Sequence, residues 1–193
     1  MDTLTMAALG KAGAATAISL AAMGSAIGTG NAGMAAIGSW KKCYVQDKTA
    51  PYMLLIFIGA PLSQTIYGMI LMNAMHRVCS LATYLPAEAV RSAREAAAQA
   101  GWSDWVSAVP ADLLATAETA LTNATMNWPS LITIGVLGGT AMAMSAIWQG
   151  RTGAAGADAL SETGKGFGNY LMAIGVVETV ALFVLVFIQA SIR

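Results

Sequence analysis

One acidic residue stands inside an otherwise uncharged apolar run: Glu178, in GVVETVALF at 175–183. It falls near the middle of a stretch long enough to cross a bilayer. A charge at that depth costs roughly 3 kcal/mol on insertion scales, so the carboxyl needs a partner or a proton. No Lys, Arg or His is expected at comparable depth, and His76, at the outer end of its helix, reads as an interfacial residue. Intramembrane acids are functional by default. The alternative is a protonated Glu178 that hydrogen-bonds across helices.

A second polar set lies in FIGAPLSQTIYG at 57–68. Pro61 lacks an N–H and so frees the carbonyl of Phe57 from its helical bond. Ala60, Ser63, Gln64 and Tyr67 follow at i, i+3, i+4 and i+7, one face of a helix. That face offers a hydroxyl, an amide and a phenol. Gln149 adds another amide that needs a partner in lipid. Together with Glu178 these groups make an oxygen cage with a single formal negative charge, which suits a hard monovalent cation. Calcium or magnesium would recruit more carboxylates or waters, and no Cys/His set is present for a transition metal. A proton would need Glu178 alone and would leave the polar neighbours less explained. Gln64 and Gln149 could also serve only as interhelical hydrogen-bonding groups.

The elements that must position these residues follow from composition. Of 193 residues 56% are hydrophobic and 10% charged, against roughly 25% charged in ordinary soluble proteins. A soluble domain is thereby nearly excluded. A net charge of zero leaves no electrostatic footprint for nucleic acid, and two distant cysteines give neither a disulfide framework nor a zinc motif. Four spans are expected near 12–39, 51–76, 128–150 and 167–192, making an all-α membrane protein. The first lacks the basic n-region of a signal peptide and is too long for one.

The 40–50 loop holds Lys41, Lys42 and Lys48, and a 151–166 loop is expected to hold Arg151 and Lys165. Both are therefore expected on the cytoplasmic side, with both termini and the central 77–127 segment outside. On that topology Cys43 and Cys79 lie on opposite faces and cannot pair. Within the central segment, 87–100 predicts a helix carrying Glu88/Arg91 and Arg91/Glu95 pairs and stopping at Gly101. A short helix is expected after Pro110, and Trp102, Trp105 and Trp128 suit the headgroup zone.

The chain is also internally duplicated. SAIGTGNAGMA at 25–35 aligns with SAIWQGRTGAA at 145–155 at an offset of 120, and SQTIYGMIL at 63–71 aligns with VETVALFVL at 177–185 at an offset of 114. The second alignment sets Gln64 opposite Glu178. The fold expected is two tandem parallel helical hairpins, residues 1–76 and 128–193, with a helical external insertion at 77–127 between them. A stripe of Gly10, Gly13, Ala17, Ala21, Gly24 and Gly28 lets helices approach closely in lipid.

Four segments together, GSAIGTGNAG (24–33), APLSQTIYG (60–68), SAIWQGR (145–151) and VVETVALF (176–183), resemble the membrane-ring proteolipid of V-type rotary ATPases, the c/K proteolipid, in its duplicated four-helix form. The resemblance covers both hairpins and not the insertion. It implies an ion rotor in which Glu178, Gln64, Gln149 and Ser63 bind Na+ through side chains, with H+ as the alternative cargo. It further implies that the main-chain oxygen of Ala60 joins them and that Tyr67 hydrogen-bonds the glutamate. Ser63 stands where that pattern usually has threonine, and Ala60 where it has a larger apolar residue. Neither change removes a ligand.

The resemblance also implies partners: a homo-oligomeric ring in the lipid bilayer, a membrane stator bearing an arginine, and a central stalk at the cytoplasmic loops. No nucleic-acid partner is expected. The chain would be a component of an enzyme complex and not itself a catalyst, since no GxxxxGK[ST] loop is present. A bacterial-type cytoplasmic membrane is the expected location. Two rival classes are a small proton-coupled multidrug-type transporter, with Glu178 receiving a cationic substrate, and a purely structural membrane protein.

Overall fold

A computed structural model describes residues 3–79 and 111–192 together with 89, 91–92, 95–96, 98–99 and 101. Glu88, Trp102 and Trp105 lie outside the described residues. Four helices are long and apolar enough to cross a membrane, and the described residues contain no strand. Helix α1 spans Thr3–Val45. The second crossing is α2, Leu54–Gly59, then a 3-10 turn at Ala60–Leu62, then α3, Ser63–Val78. Helix α4 spans Ala111–Thr163 and α5 spans Phe167–Ser191. In lipid every backbone polar group has to be satisfied within the chain, which is why such glycine-rich sequence still forms continuous helix.

The fold is two hairpins, α1 with α2/α3 and α4 with α5, an integral multi-pass arrangement. Helices α1 and α4 lie parallel and in register. A Cβ added at Gly13 would meet the backbone of Leu131 and Ile132, one at Gly24 the backbone of Ala143, and one at Gly150 the backbone of Gly28. The register matches the sequence offset of 120, so equivalent positions of the two repeats are neighbours. Small residues let the backbones touch, and in lipid this close packing is the main source of helix association. Large apolar side chains sit exposed on α2/α3 and α5, among them Leu55, Ile66, Met172, Val176, Val180 and Phe187. These faces suit lipid.

The structure differs from the sequence reading at residues 151–166. Residues 151–163 continue α4, and only Gly164–Gly166 turn the chain, with φ of +65° and +89° at the two glycines. Gly150, Gly153 and Gly156 resemble loop residues in sequence but are packing surface: Gly150 lies on Gly28, and the other two lie against Phe57. Arg151 is therefore inside the helix, two residues past Gln149, with its guanidinium 4.9 Å from the centre of the Trp148 ring. The helix thus carries a basic residue two positions past Gln149, where the sequence reading expects a loop.

The other connection, between α1 and α2, is held by Trp40, whose indole donates to the carbonyl of Pro51 at 3.0 Å. Lys48 N–H bonds to the carbonyl of Cys43 at 2.9 Å around Asp47, whose φ is +52°. Lys42 bridges to Asp158 at 2.6 Å and to Glu162 at 3.3 Å, joining the same ends of α1 and α4. All three side chains are exposed, so the pairs contribute little to stability. Phe57 stacks on Phe167, with centroids 5.5 Å apart, and ties the second crossing to the start of α5.

In the central segment, Arg91 donates to Glu95 at 2.9 Å and Gly101 has φ +74°, while half the residues of the expected 87–100 helix lie outside the described residues. Cys43 and Cys79 are both buried thiols, and burial pushes the Cys79 thiol up, opposed by the Lys11 charge.

The backbone contact carries a prediction. Gly150→Val forces a branched side chain into Gly28 and is expected to destabilise by about 3 kcal/mol or more. Gly168→Val, at a position where a Cβ meets nothing within 4 Å, is expected to leave stability nearly unchanged. Thermal unfolding of the two variants in one detergent makes the comparison.

Candidate functional site

The site is built where the second crossing breaks its helix. Pro61 cannot donate to Phe57, and the chain tightens there into the turn Ala60–Leu62. The carbonyl of Phe57 faces α4, where a Cβ on Gly153 would lie 3.1 Å from it. The turn also brings the Ala60 carbonyl within reach of Ser63, which donates to it from its backbone N–H and from its hydroxyl, the latter at 3.0 Å. The same hydroxyl lies 3.3 Å from Gln64 Oε1. Pro61 itself packs on Gly28, so the irregular backbone is buried in protein. That burial is the condition for such a break at membrane depth.

From Gln64 a line of hydrogen bonds crosses three helices. Gln64 Nε2 donates to Gln149 Oε1 at 2.8 Å, and Gln149 Nε2 donates to Glu178 Oε2 at 3.3 Å. Tyr67 closes the other side, its hydroxyl donating to Glu178 Oε1 at 2.7 Å. Gln64 and Gln149 are fully buried, whereas Glu178, Tyr67 and Ser63 are half-buried. Both carboxyl oxygens accept a bond, and among the described residues no basic side chain bridges to Glu178. A buried amide left without a partner would cost about 1–3 kcal/mol, so the line is mutually dependent.

The structure thus brings Ser63, Gln64, Gln149, Glu178, Tyr67 and the Ala60 carbonyl into one continuous network. One detail differs from a simple cage of oxygens. The amide nitrogens of both glutamines are spent inside the network, and Gln149 turns its oxygen toward Gln64 instead of toward Glu178. Ser63 reaches Ala60 and Gln64 and makes no bond to the carboxyl.

Sequence reasoning missed Ser145, whose hydroxyl donates to the carbonyl of Val177 at 2.9 Å and pins α5 to α4 one residue before Glu178. Its signal was present in the duplication, which pairs it with Ser25. The repeat also shows what the first hairpin lacks: Gln64 occupies the place of Glu178 and Thr29 the place of Gln149. There the hydroxyls of Ser25 and Thr29 are buried without a hydrogen-bond partner. Among the described residues no three His, Cys, Asp or Glu side chains are grouped to hold a metal.

With this geometry in place, comparison with known proteins bears on the second hairpin. Residues 132–188 match the family model of the ATP synthase C-subunit. The matched segment contains Ser145, Gln149 and Glu178 and leaves Gln64 and Tyr67 to the first hairpin. It supports a c-type membrane proteolipid with a part in ion translocation, and it lends nothing to the transporter reading. No curated protein and no solved structure matches the chain.

The interdependence of the two amides is testable. Gln149→Leu strands the Gln64 amide and removes a donor from Glu178, and each single variant, Gln64→Leu or Gln149→Leu, is expected to destabilise by about 1–3 kcal/mol. The double variant is expected to lose less than the sum, with a coupling of about 0.5–3 kcal/mol. Unfolding in detergent across the four proteins of the cycle reads this directly.

Proposed function

We propose that the chain is the rotor-ring proteolipid of a V-type ATPase membrane sector, in the duplicated four-helix form, and that it carries Na+ across the membrane on Glu178. The observation that carries the reading is the half-buried carboxyl held by Tyr67 at 2.7 Å and Gln149 at 3.3 Å, within a segment that matches the ATP synthase C-subunit. A half turn of the Gln149 amide, matched by one of Gln64 so that an N–H still meets an oxygen between them, presents Gln149 Oε1 to a cation beside Glu178. Ser63, Gln64 Oε1 and the Ala60 carbonyl supply further oxygens on the same side. A hard monovalent cation suits a cage with one formal charge. H+ is the alternative cargo, requiring only Glu178.

The mechanism follows from the cost of charge in lipid. While the site faces lipid, bound Na+ neutralises Glu178, because a bare carboxylate there is prohibitive. At the membrane stator, an arginine and aqueous half-channels permit exchange. Rotation then carries neutral sites around, with ATP hydrolysis confined to other subunits and a central stalk meeting the loops at Lys48 and Lys165. On this reading those loops face the cytoplasm, in a bacterial-type membrane, and both termini lie outside. With Gln64 in place of a second carboxyl, each chain of four spans carries one ion. Fewer ions per turn favours pumping against a steep gradient.

A carbodiimide that modifies protonated carboxyls is expected to label Glu178 and to be blocked by millimolar Na+ at constant pH. Labelling indifferent to Na+ would assign the cargo to the proton. Glu178→Gln is expected to abolish transport while permitting assembly, and ion-coupled ATPase activity retained in that variant would remove Glu178 from the central role.

A further inference from the structure

Hydroxyls on a helix have a ready acceptor in the carbonyl three or four residues back. Thr16, Ser19, Thr140, Thr152 and Thr179 all donate to it. Ser25 and Thr29 do not, although both hydroxyl oxygens are buried, and the described residues supply them no other partner. Forgoing an available bond in an apolar setting is costly, so these two side chains are turned toward something else.

Their neighbours define the place. Ser25 and Thr29 lie one turn apart on the α1 face that also carries Ile18 and Ala21, and a Cβ added at Gly68 of α3 would land on those two residues. Farther along, Gly28 packs on Pro61. The second crossing therefore runs antiparallel to α1, and Gln64, between Gly68 and Pro61, is level with Ser25. The Gln64 amide is fully buried. Its oxygen takes the Ser63 hydroxyl and one N–H meets Gln149, which leaves its second N–H to be met. The other hairpin measures the gap. There Gln149 reaches Glu178 at 3.3 Å and Ser145 reaches the Val177 carbonyl at 2.9 Å; the counterparts are Thr29 with Gln64 and Ser25 with the Ser63 carbonyl. The hydroxyl of threonine lies two bonds closer to the backbone than the amide nitrogen of glutamine, roughly 2.5 Å, about the spacing of one hydrogen-bonded oxygen from the next.

We propose that the first hairpin binds one water molecule between Ser25, Thr29 and Gln64, where the second hairpin joins Gln149 directly to Glu178. The water accepts from the second Gln64 N–H and exchanges bonds with both hydroxyls, three partners in all, the usual number for a buried water. The three groups include no carboxylate and present an N–H, so the place takes a neutral molecule that both donates and accepts, and not a cation. Because water donates as readily as it accepts, it meets the Gln64 amide in either orientation. The half turn of Gln64 that accompanies a cation at Glu178 then proceeds without stranding a buried polar group. This consequence rests on the ion-carrying reading given above, whereas the water itself does not. Ser25 and Thr29 are thus positioning residues that act on Glu178 through Gln64 and Gln149.

The test uses Thr29→Val and Ser25→Ala in the full chain, each of which removes a hydroxyl and little else. Replacing an unpartnered buried hydroxyl by an apolar group of the same shape is neutral or stabilising. Replacing one that binds water is not, and each variant is expected to melt about 2–4 °C lower in detergent. A map of the wild type that resolves ordered water is expected to show one density within hydrogen-bonding distance of Ser25 Oγ, Thr29 Oγ1 and the Gln64 amide, weakened in both variants. In the carbodiimide assay, the Na+ concentration that half-protects Glu178 is expected to rise roughly threefold in Thr29→Val. Unchanged or higher melting temperatures, with no density between the three groups, would overturn the water. Density and lower melting temperatures with Na+ protection unchanged would overturn its action on the ion site. Labelling indifferent to Na+ in the wild type would overturn the sodium reading, and the melting temperatures and the map would still decide the water.

Discussion

A carboxyl in the middle of a membrane-spanning helix is tolerable only when donors or a cation compensate it, and the rest of the chain is arranged around that requirement. Tyr67 and Gln149 supply the donors, and Gln64 and Ser63 hold Gln149 in turn. With Glu178 itself, these groups come from three different crossings. They can meet only because the crossings approach far more closely than leucine-rich helices could. Glycines on α1 and α4 are thus as much a part of the site as the polar side chains, since replacing Gly28 or Gly150 would move Gln149 away from its neighbours.

The break at Pro61 plays the complementary part. A regular helix would spend the Ala60 carbonyl on a residue four positions on. The tighter turn gives it to Ser63 instead, which leaves the Gln64 and Tyr67 side chains one turn apart on the side facing α4 and α5. The stacked Phe57 and Phe167 rings fix the cytoplasm-proximal end of this assembly on the proposed topology. A local loss of regularity is thereby enclosed between rigid contacts.

Much of this was legible in the sequence, for identifiable reasons. Four apolar runs and one deep acid need only composition, and the helical face of Ala60, Ser63, Gln64 and Tyr67 needs only spacing. The offset of the repeats foretold the register of α1 on α4. Other features were not legible because one residue type has two uses. Gly150, Gly153 and Gly156 could break a helix or let one approach its neighbour, and only the presence of Gly28 and Phe57 opposite decides. The length of α4, the place of Arg151 within it and the bond from Ser145 to Val177 all follow from that decision. Amide orientation was likewise hidden, because spacing places a glutamine without saying which of its two atoms faces a partner.

The two halves of the repeat have lost their equivalence at the polar level while keeping it at the packing level. The first hairpin retains the glycine contacts but carries Gln64 and Thr29 where the second carries Glu178 and Gln149. Because both hairpins belong to one polypeptide, charged and uncharged units occur in equal number in anything this chain builds. Their alternation is written into the covalent chain and does not depend on sorting two kinds of protomer during assembly.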